Sequence, residues 1–174
     1  MKILLFSPTL QMGGAEKIIS KFYLFLKKQK IETKIVLFNN KKPYFDYKIE
    51  ECDIINLNVK RARFSILKII KIIFREKPNY IFSNQRESNL AVSIANILLL
   101  RRFKIIAREA APFKFSNQNF IDKFYLYILK ILYKSFNGII FNSKYTQKSF
   151  LEKFKLKNHK VINNPILVSS IKKK

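Results

Sequence analysis

Short runs of apolar, β-branched and aromatic residues alternate along the chain with longer segments in which apolar residues recur every three or four positions. This order predicts βαβ units that feed a parallel sheet. We predict strands over Lys2–Ser7, Thr33–Asn39, Asp53–Asn58, Asn79–Asn84, Phe103–Arg108, Gly138–Asn142 and His159–Asn163. We predict helices near Ala15–Gln29, Ser65–Arg75, Glu87–Leu100, Asn119–Ser135 and Lys144–Phe154.

Several predicted strands are apolar at every position, such as Ile35–Phe38 and Ile139–Phe141. Strands of this kind are typical of sheets that helices cover on both faces. The sequence therefore predicts an α/β fold, Rossmann-like and doubly wound, with a mainly parallel sheet of about seven strands.

Composition narrows the class of protein. The 174 residues fit one ordinary domain, and a hydrophobic fraction of 48% excludes a disordered chain. The single Cys52 and single His159 offer no disulfide and no transition-metal site, so we expect a reducing, cytoplasmic location and no cofactor. The longest uncharged stretch, Ser88 to Leu100, is shorter than the roughly 20 residues that a membrane-spanning helix needs.

The net charge is +24, from 35 Lys and Arg against 11 Asp and Glu. Such a charge favours polyanionic partners, namely nucleic acid, anionic lipid headgroups or phosphorylated substrates. AT-rich coding DNA also produces abundant Lys, Ile, Asn and Phe, so the charge alone does not choose among them.

The first strand-to-helix loop, Ser7 to Lys17, contains Gly13 and Gly14, two of the three glycines in the chain. We expect these glycines to take positive φ and to let a phosphate or sugar approach the helix N-terminus, although an ordinary turn has the same composition. Dinucleotide binding is disfavoured, because G-x-G-x-x-G is absent and the second strand ends in Asn39 rather than an acidic residue. The Gly-Lys-Ser/Thr of a phosphate-binding loop is absent too.

Four motifs carry a family resemblance when taken in order along the chain. They are Gly13–Lys17, Ile105–Glu109, Gly138–Ser143 with Tyr145 and Thr146, and Val161–Ile166. Together they resemble the glycine loop, two strand ends and interdomain hinge of the N-terminal domain of family 4 glycosyltransferases, which are retaining enzymes of the GT-B fold.

The resemblance implies one half of a GT-B enzyme. Residues 1–165 would form the acceptor-side domain, and residues 166–174 would begin the hinge and a basic tail. The family's second domain binds the nucleotide-sugar and carries two glutamates eight positions apart, a spacing that this sequence does not contain. We therefore expect the donor-binding domain to be missing or on a separate chain, and this chain to be inactive alone. Its acceptor would be a polysaccharide or a lipid-linked glycan.

Candidate site residues follow the ends of the predicted strands. In the first loop, Gly13 and Gly14 would contact acceptor or the donor's phosphate and sugar, and Glu16 either joins them or simply favours the helix dipole. After the fourth strand, Arg86 could hold an acceptor phosphate beside Glu87, or both could cap a helix start.

At the fifth strand end, where this chain has Arg108 and Glu109, many relatives in the family carry a histidine near the reacting sugar. We predict Glu109 as the catalytic group and Arg108 as substrate-binding, with a structural ion pair as the alternative. Asn142 and Ser143 end the sixth strand as substrate-binding candidates, and Ser143 could equally cap a helix. We assign His159 no catalytic role.

Two predicted helices, Ser65–Arg75 and Asn119–Ser135, set lysines beside apolar and aromatic residues. Such helices either lie in an anionic membrane interface or pack on a core with a solvated basic edge. A nucleic-acid-binding module is the alternative function, although we find no groove-reading element. A third is a membrane-associated subunit without catalysis that recruits a donor-binding chain.

Overall fold

The computed structural model describes residues 1–11, 13–39, 49–59, 62–114 and 120–165. Seven strands are present in these ranges: β1 Lys2–Ser7, β2 Glu32–Leu37, β3 Ile54–Asn56, β4 Tyr80–Asn84, β5 Lys104–Glu109, β6 Gly138–Phe141 and β7 His159–Val161. The α-helices are α1 Gly14–Lys28, α2 Ile66–Glu76, α3 Arg86–Leu98, α4 Phe120–Lys134 and α5 Lys144–Leu151. Short 3-10 helices at Glu51–Asp53 and Ala62–Ser65 precede β3 and α2.

All seven strands form one parallel sheet in the order β3-β2-β1-β4-β5-β6-β7. The predicted α/β, doubly wound, Rossmann-like fold is confirmed. The predicted and observed strand ends differ by at most two residues, and the outermost strands β3 and β7 contain only three residues each. The predicted third strand began at Asp53, which lies in the 3-10 helix instead.

Helices cover the two faces of the sheet unequally. One core lies under α2, α3, α4 and α5, and it includes Leu4, Ile81, Ala107, Phe141 and Phe150. The other lies under α1, and it includes Leu5, Ile19, Tyr23, Ile35 and Phe82. Successive strand residues alternate between these faces. Leu4 and Leu5 therefore enter different cores.

No helix among the described residues combines the length and the apolar composition required to cross a bilayer.

Candidate ligand-binding cleft at the carboxyl edge of the sheet

The sheet order reverses between β1 and β4, the neighbours in the sheet centre. The loops that follow these two strands therefore turn to opposite faces, and a crevice opens at the carboxyl edge between them. Ligands of open parallel sheets bind at this position. The residues that line it come from the start of α1, the end of β4, the end of β5 and the segment after β7.

The two glycines of the first loop differ in the space that surrounds their Cα atoms. Neither takes positive φ, so that expectation was wrong; Gly13 has φ 176°, which is ordinary extended backbone. A Cβ on Gly13 would overlap the Glu16 carboxylate, whereas nothing lies within 4 Å of the position of a Cβ on Gly14. Gly13 is therefore needed so that the Glu16 side chain can fold back over the helix N-terminus.

Glu16 joins α1 to the loop after β4. Its Oε1 accepts a hydrogen bond of 3.0 Å from Nε2 of Gln85. Asn84 supplies a second link, because its Nδ2 donates to the carbonyl of Ala15 at 3.1 Å. Gln85 has φ 72°, so the left-handed backbone expected of the glycines lies at this residue instead. Gln85 and Asn84 thus set the wall of the crevice.

Arg108 occupies the floor of the crevice and is only 3% exposed. Its guanidinium donates to Oδ1 of Asn84 at 2.7 Å and to Oδ1 of Asn164 at 2.6 Å. Burial lowers the pKa of Arg108, and the charges of Glu109 and Glu16 oppose that effect. Arg108 therefore ties β4 to the segment after β7 through neutral amides, and it brings a buried positive charge to the cleft.

Glu109 points to the opposite face from Arg108, because strand residues alternate. Its Oε1 accepts from Tyr133 at 2.5 Å and from Asn89 at 2.8 Å, between α4 and α3. Burial raises the pKa of Glu109, against those hydrogen bonds and the charges of Arg86 and Arg108.

The contacts of Glu109 bear on two predictions, an ion pair with Arg108 and a catalytic role. The ion pair that Glu109 forms among the described residues joins its Oε2 to Nε of Arg86 at 3.8 Å, so the alternative of a direct Arg108–Glu109 pair was wrong. The catalytic role of Glu109 stays a prediction, and a carboxylate on a residue only 1% exposed lends it no support.

Arg86 and Glu87 begin α3 beside the cleft. The Arg86 guanidinium lies over the rings of Phe113 and Phe150, at 5.0 and 5.4 Å from their centroids, and donates to the carbonyl of Pro112 at 3.3 Å. Glu87 is exposed in the first turn of the helix. Arg86 is thus held mainly by the loop after β5.

Asn142 and Ser143 bond locally. The Asn142 amide donates to the carbonyl of Ala110 at 2.8 Å and accepts from the Thr146 hydroxyl at 2.8 Å. Ser143 Oγ accepts from the backbone N–H of Thr146 at 3.1 Å, which confirms the helix-capping alternative for this residue. Neither side chain is free of protein partners, and their substrate-binding role stays a prediction.

An apolar groove of about 330 Å³ leads away from the cleft on the α1 face. Phe22, Phe82, Ile140 and Ile162 line it, with Arg108 and Asn164 among the polar members. Our sequence analysis did not select Asn84, Gln85 or Asn164. Asn84 could have been selected because it ends a predicted strand. Asn164 could not, because its contact with Arg108 joins residues 56 positions apart and leaves no local pattern in the sequence.

Away from the cleft, His159 begins β7 at the opposite edge of the sheet, with its Nδ1 2.9 Å from Nε2 of Gln147. The ligand atoms of Glu50, Cys52 and Asp53 lie within 4.8 Å of one another. The Lys27 ammonium already occupies this acidic group, at 3.5 Å from Glu50 and 2.7 Å from Asp53.

No protein-family model and no curated protein matches this sequence. The fold matches solved structures across nearly the whole chain. Anabaena HepE in complex with UDP superposes with a TM-score of 0.72 at 18% identity, over 97% of this chain and 45% of HepE. The lipopolysaccharide outer core galactosyltransferase WaaB gives 0.66 at 16% identity, over 97% of this chain and 47% of WaaB.

An alpha-glucosyltransferase in complex with UDP and a 13-mer DNA gives a TM-score of 0.63 at 12% identity, over 95% of this chain and 43% of the enzyme. The chain thus spans less than half the length of each of these three proteins. Its sheet and helices have the fold of one half of these GT-B glycosyltransferases.

Proposed function

We propose that this chain supplies the acceptor-binding side of a glycosyltransferase that transfers a sugar from a nucleotide-sugar to a polysaccharide or lipid-linked acceptor. The observation that carries the proposal is the fold match to HepE, which has also been solved with UDP-glucose, over 97% of this chain. The polar cleft at the switch point of the sheet supports it, because that is where parallel sheets bind ligands.

The cleft offers the chemistry of an acceptor site. Gln85 and Asn84 present amides, and amides pair well with sugar hydroxyls because they both donate and accept hydrogen bonds. Arg108 adds a positive charge at the floor, which would favour an acceptor phosphate or the developing charge on a departing diphosphate. Gly14, Arg86, Glu87, Asn142 and Ser143 follow the carboxyl ends of β1, β4 and β6, and in this proposal they remain candidate substrate contacts.

In this proposal the domain acts together with a donor-binding domain, whether on the same or a separate chain, and catalyses no transfer alone. The family 4 assignment and retention of configuration belong to the same proposal. We place the protein in the cytoplasm at the inner face of the cell membrane, because Cys52 is a free, exposed thiol and the charge of +24 favours anionic lipid.

Binding measurements on the chain test this division of labour. We expect glycans on an array to bind, and UDP-glucose titrated into ¹⁵N-labelled protein to leave the amide signals of Gln85 and Arg108 unchanged. Arg108→Met should abolish glycan binding, while Lys28→Ala on the exposed end of α1 should preserve it. Efficient turnover of UDP-glucose by the chain alone, or the absence of any bound glycan, would contradict the proposal.

A nucleic-acid-binding module is the second candidate. It is favoured by the net charge and by the alpha-glucosyltransferase neighbour that was solved with DNA. Nucleic-acid binding carried by contacts between exposed lysines and phosphates would weaken steeply with added salt. Arg108→Met would change it little, because those contacts lie on the surface and not at the floor of the cleft.

A further inference from the structure

Helix α4 has two apolar faces on opposite sides. The inward face contains Leu126, Leu129, Leu132 and Tyr133, which are 1 to 8% exposed and belong to the core under α2 to α5. The outward face contains five large residues at helical spacing: Phe120 (84% exposed), Phe124 (59%), Tyr127 (61%), Ile128 (36%) and Ile131 (38%). We call these five residues the α4 outer stripe.

The α4 outer stripe is unusual for a helix on a protein surface, where this face is normally polar. Its members follow i, i+4, i+7, i+8 and i+11, so they form one continuous strip along the helix. Helix α2 provides the contrast within this molecule: it exposes Leu67 and Phe74, but the exposed Lys71 lies between them on the same face. A continuous apolar strip marks a surface that meets an apolar phase or a partner.

A basic groove flanks the stripe. Two adjoining cavities of about 280 and 360 Å³ lie between the end of α4 and the segment after α5. Their lining includes five lysines, Lys130, Lys134, Lys153, Lys155 and Lys157, and one acidic residue, Glu152. Among the described residues, none of the five lysines forms an ion pair. We call these lysines the basic groove.

We propose that the α4 outer stripe and the basic groove together form a docking surface for an anionic lipid bilayer. The aromatic and aliphatic side chains would enter the boundary between headgroups and acyl chains, and the lysines would meet the lipid phosphates. An apolar strip bordered by unpaired cations is complementary to that boundary in both polarity and charge. A nucleic acid would satisfy the lysines but would leave the stripe uncovered.

The position of α4 relates the docking surface to the cleft, and this step rests on the proposed function. Helix α4 follows β5 and precedes β6, so Phe120 lies near the carboxyl edge of the sheet and Lys134 near the amino edge. A helix lying flat on the bilayer would therefore hold the cleft edge at the lipid surface. A lipid-linked acceptor could then approach the carboxyl edge of the sheet directly from the membrane.

Sedimentation with vesicles tests the docking surface. We expect the chain to bind vesicles of equal phosphatidylcholine and phosphatidylglycerol, and not vesicles of phosphatidylcholine alone. Lys130→Gln with Lys134→Gln should weaken binding about thirtyfold, since each lysine near an anionic surface contributes on the order of 1 kcal/mol. Phe124→Ser with Tyr127→Ser should weaken it at least about tenfold.

The matched control is Leu67→Ser with Phe74→Ser on α2, which removes two exposed apolar residues outside the stripe and should change vesicle binding less than about twofold. Circular dichroism and urea unfolding check that each variant folds. Equal loss in the α2 control, equal binding to both vesicle types, or binding to duplex DNA but not to vesicles would overturn the docking surface. The vesicles contain no sugar, so failure here with glycan binding intact would leave the proposed function standing, and the reverse result would leave the docking surface standing.

Discussion

Buried charged side chains have different partners at the two edges of the sheet. At the amino edge, the Glu76 carboxylate contacts three cations, Lys2 at 2.8 Å, Lys34 at 2.9 Å and Arg75 at 2.9 Å. At the carboxyl edge, Arg108 is bonded to two neutral amides, and Glu109 to an amide and a phenol, with Arg86 more distant.

This difference matches the division between stability and binding that we propose for the two edges. The carboxylate at the amino edge is matched by cations that cancel its field, so it serves the fold. The hydrogen bonds of Arg108 at the carboxyl edge go to neutral amides, which suits the ligand-binding role that we propose for its charge. Functional sites often perturb pKa values through such burial, and both Arg108 and Glu109 show the effect.

The largest effect is expected from Glu76→Gln. Burial raises the pKa of Glu76, but the hydrogen bonds from Lys2, Lys34 and Arg75 outweigh it and lower the pKa to about 2. A lowered carboxyl pKa contributes stability that is present above the ordinary value near 4.5 and is lost as the pH falls toward 2. We expect the wild type to lose about 3 kcal/mol over that window and the variant to lack this loss.

Urea unfolding at a series of pH values measures this loss. Glu32→Gln is the control, because Glu32 contacts only Lys2 among the described residues and its side chain is 60% exposed. We expect that variant to cost less than about 1 kcal/mol. If Glu76→Gln lost as much unfolding free energy between pH 4.5 and pH 2 as the wild type, other carboxylates would stabilise this edge.

At the carboxyl edge, we expect the contribution of Glu109 to the free energy of unfolding to change with pH in the opposite direction. Because the pKa of Glu109 is raised, its contribution to stability is present in acid and is lost as the pH rises through its titration. Tyr133→Phe removes a hydrogen bond to this carboxylate, so we expect a cost of about 2 kcal/mol at neutral pH that shrinks in acid.

The control for Tyr133→Phe is Tyr127→Phe on the same helix, where the side chain is 61% exposed and the loss of a hydroxyl should be nearly neutral. Unfolding free energies of both variants at acidic and neutral pH make the comparison. A cost of Tyr133→Phe that grows in acid would show that the hydrogen bond favours the protonated form of Glu109 instead.

Much of the fold could be predicted from the sequence, because apolar periodicity reports burial directly. The predicted bounds of β1, Lys2–Ser7, match the structure, and the helical period located α1 to within a residue at each end. The short outer strands were harder, since three residues offer too little pattern to fix an end. Asp53 shows this: the sequence placed it in a strand, and it lies in a 3-10 helix.

The cleft was only partly predictable. Strand alternation alone could have separated Arg108 from Glu109, since adjacent residues point to opposite faces, and that signal was missed. The positive φ of Gln85 carries no compositional signal, because glycine is the residue expected there. The contact of Arg108 with Asn164 depends on how the chain returns after β7, which no local pattern records.

The smallest expected effect separates the two glycines of the first loop. Gly13→Ala would drive the Glu16 carboxylate away from the helix N-terminus and break its hydrogen bond with Gln85, at a cost of about 1 kcal/mol. Gly14→Ala meets open space in the first turn of α1, so it should be neutral or stabilising by up to about 1 kcal/mol, because alanine favours helix. Urea unfolding of the pair, together with the amide signal of Gln85, measures the contrast. Equal effects at both positions would mean that Glu16 does not fix the cleft wall, and that the carboxyl edge is held by Arg108 and Asn84 alone.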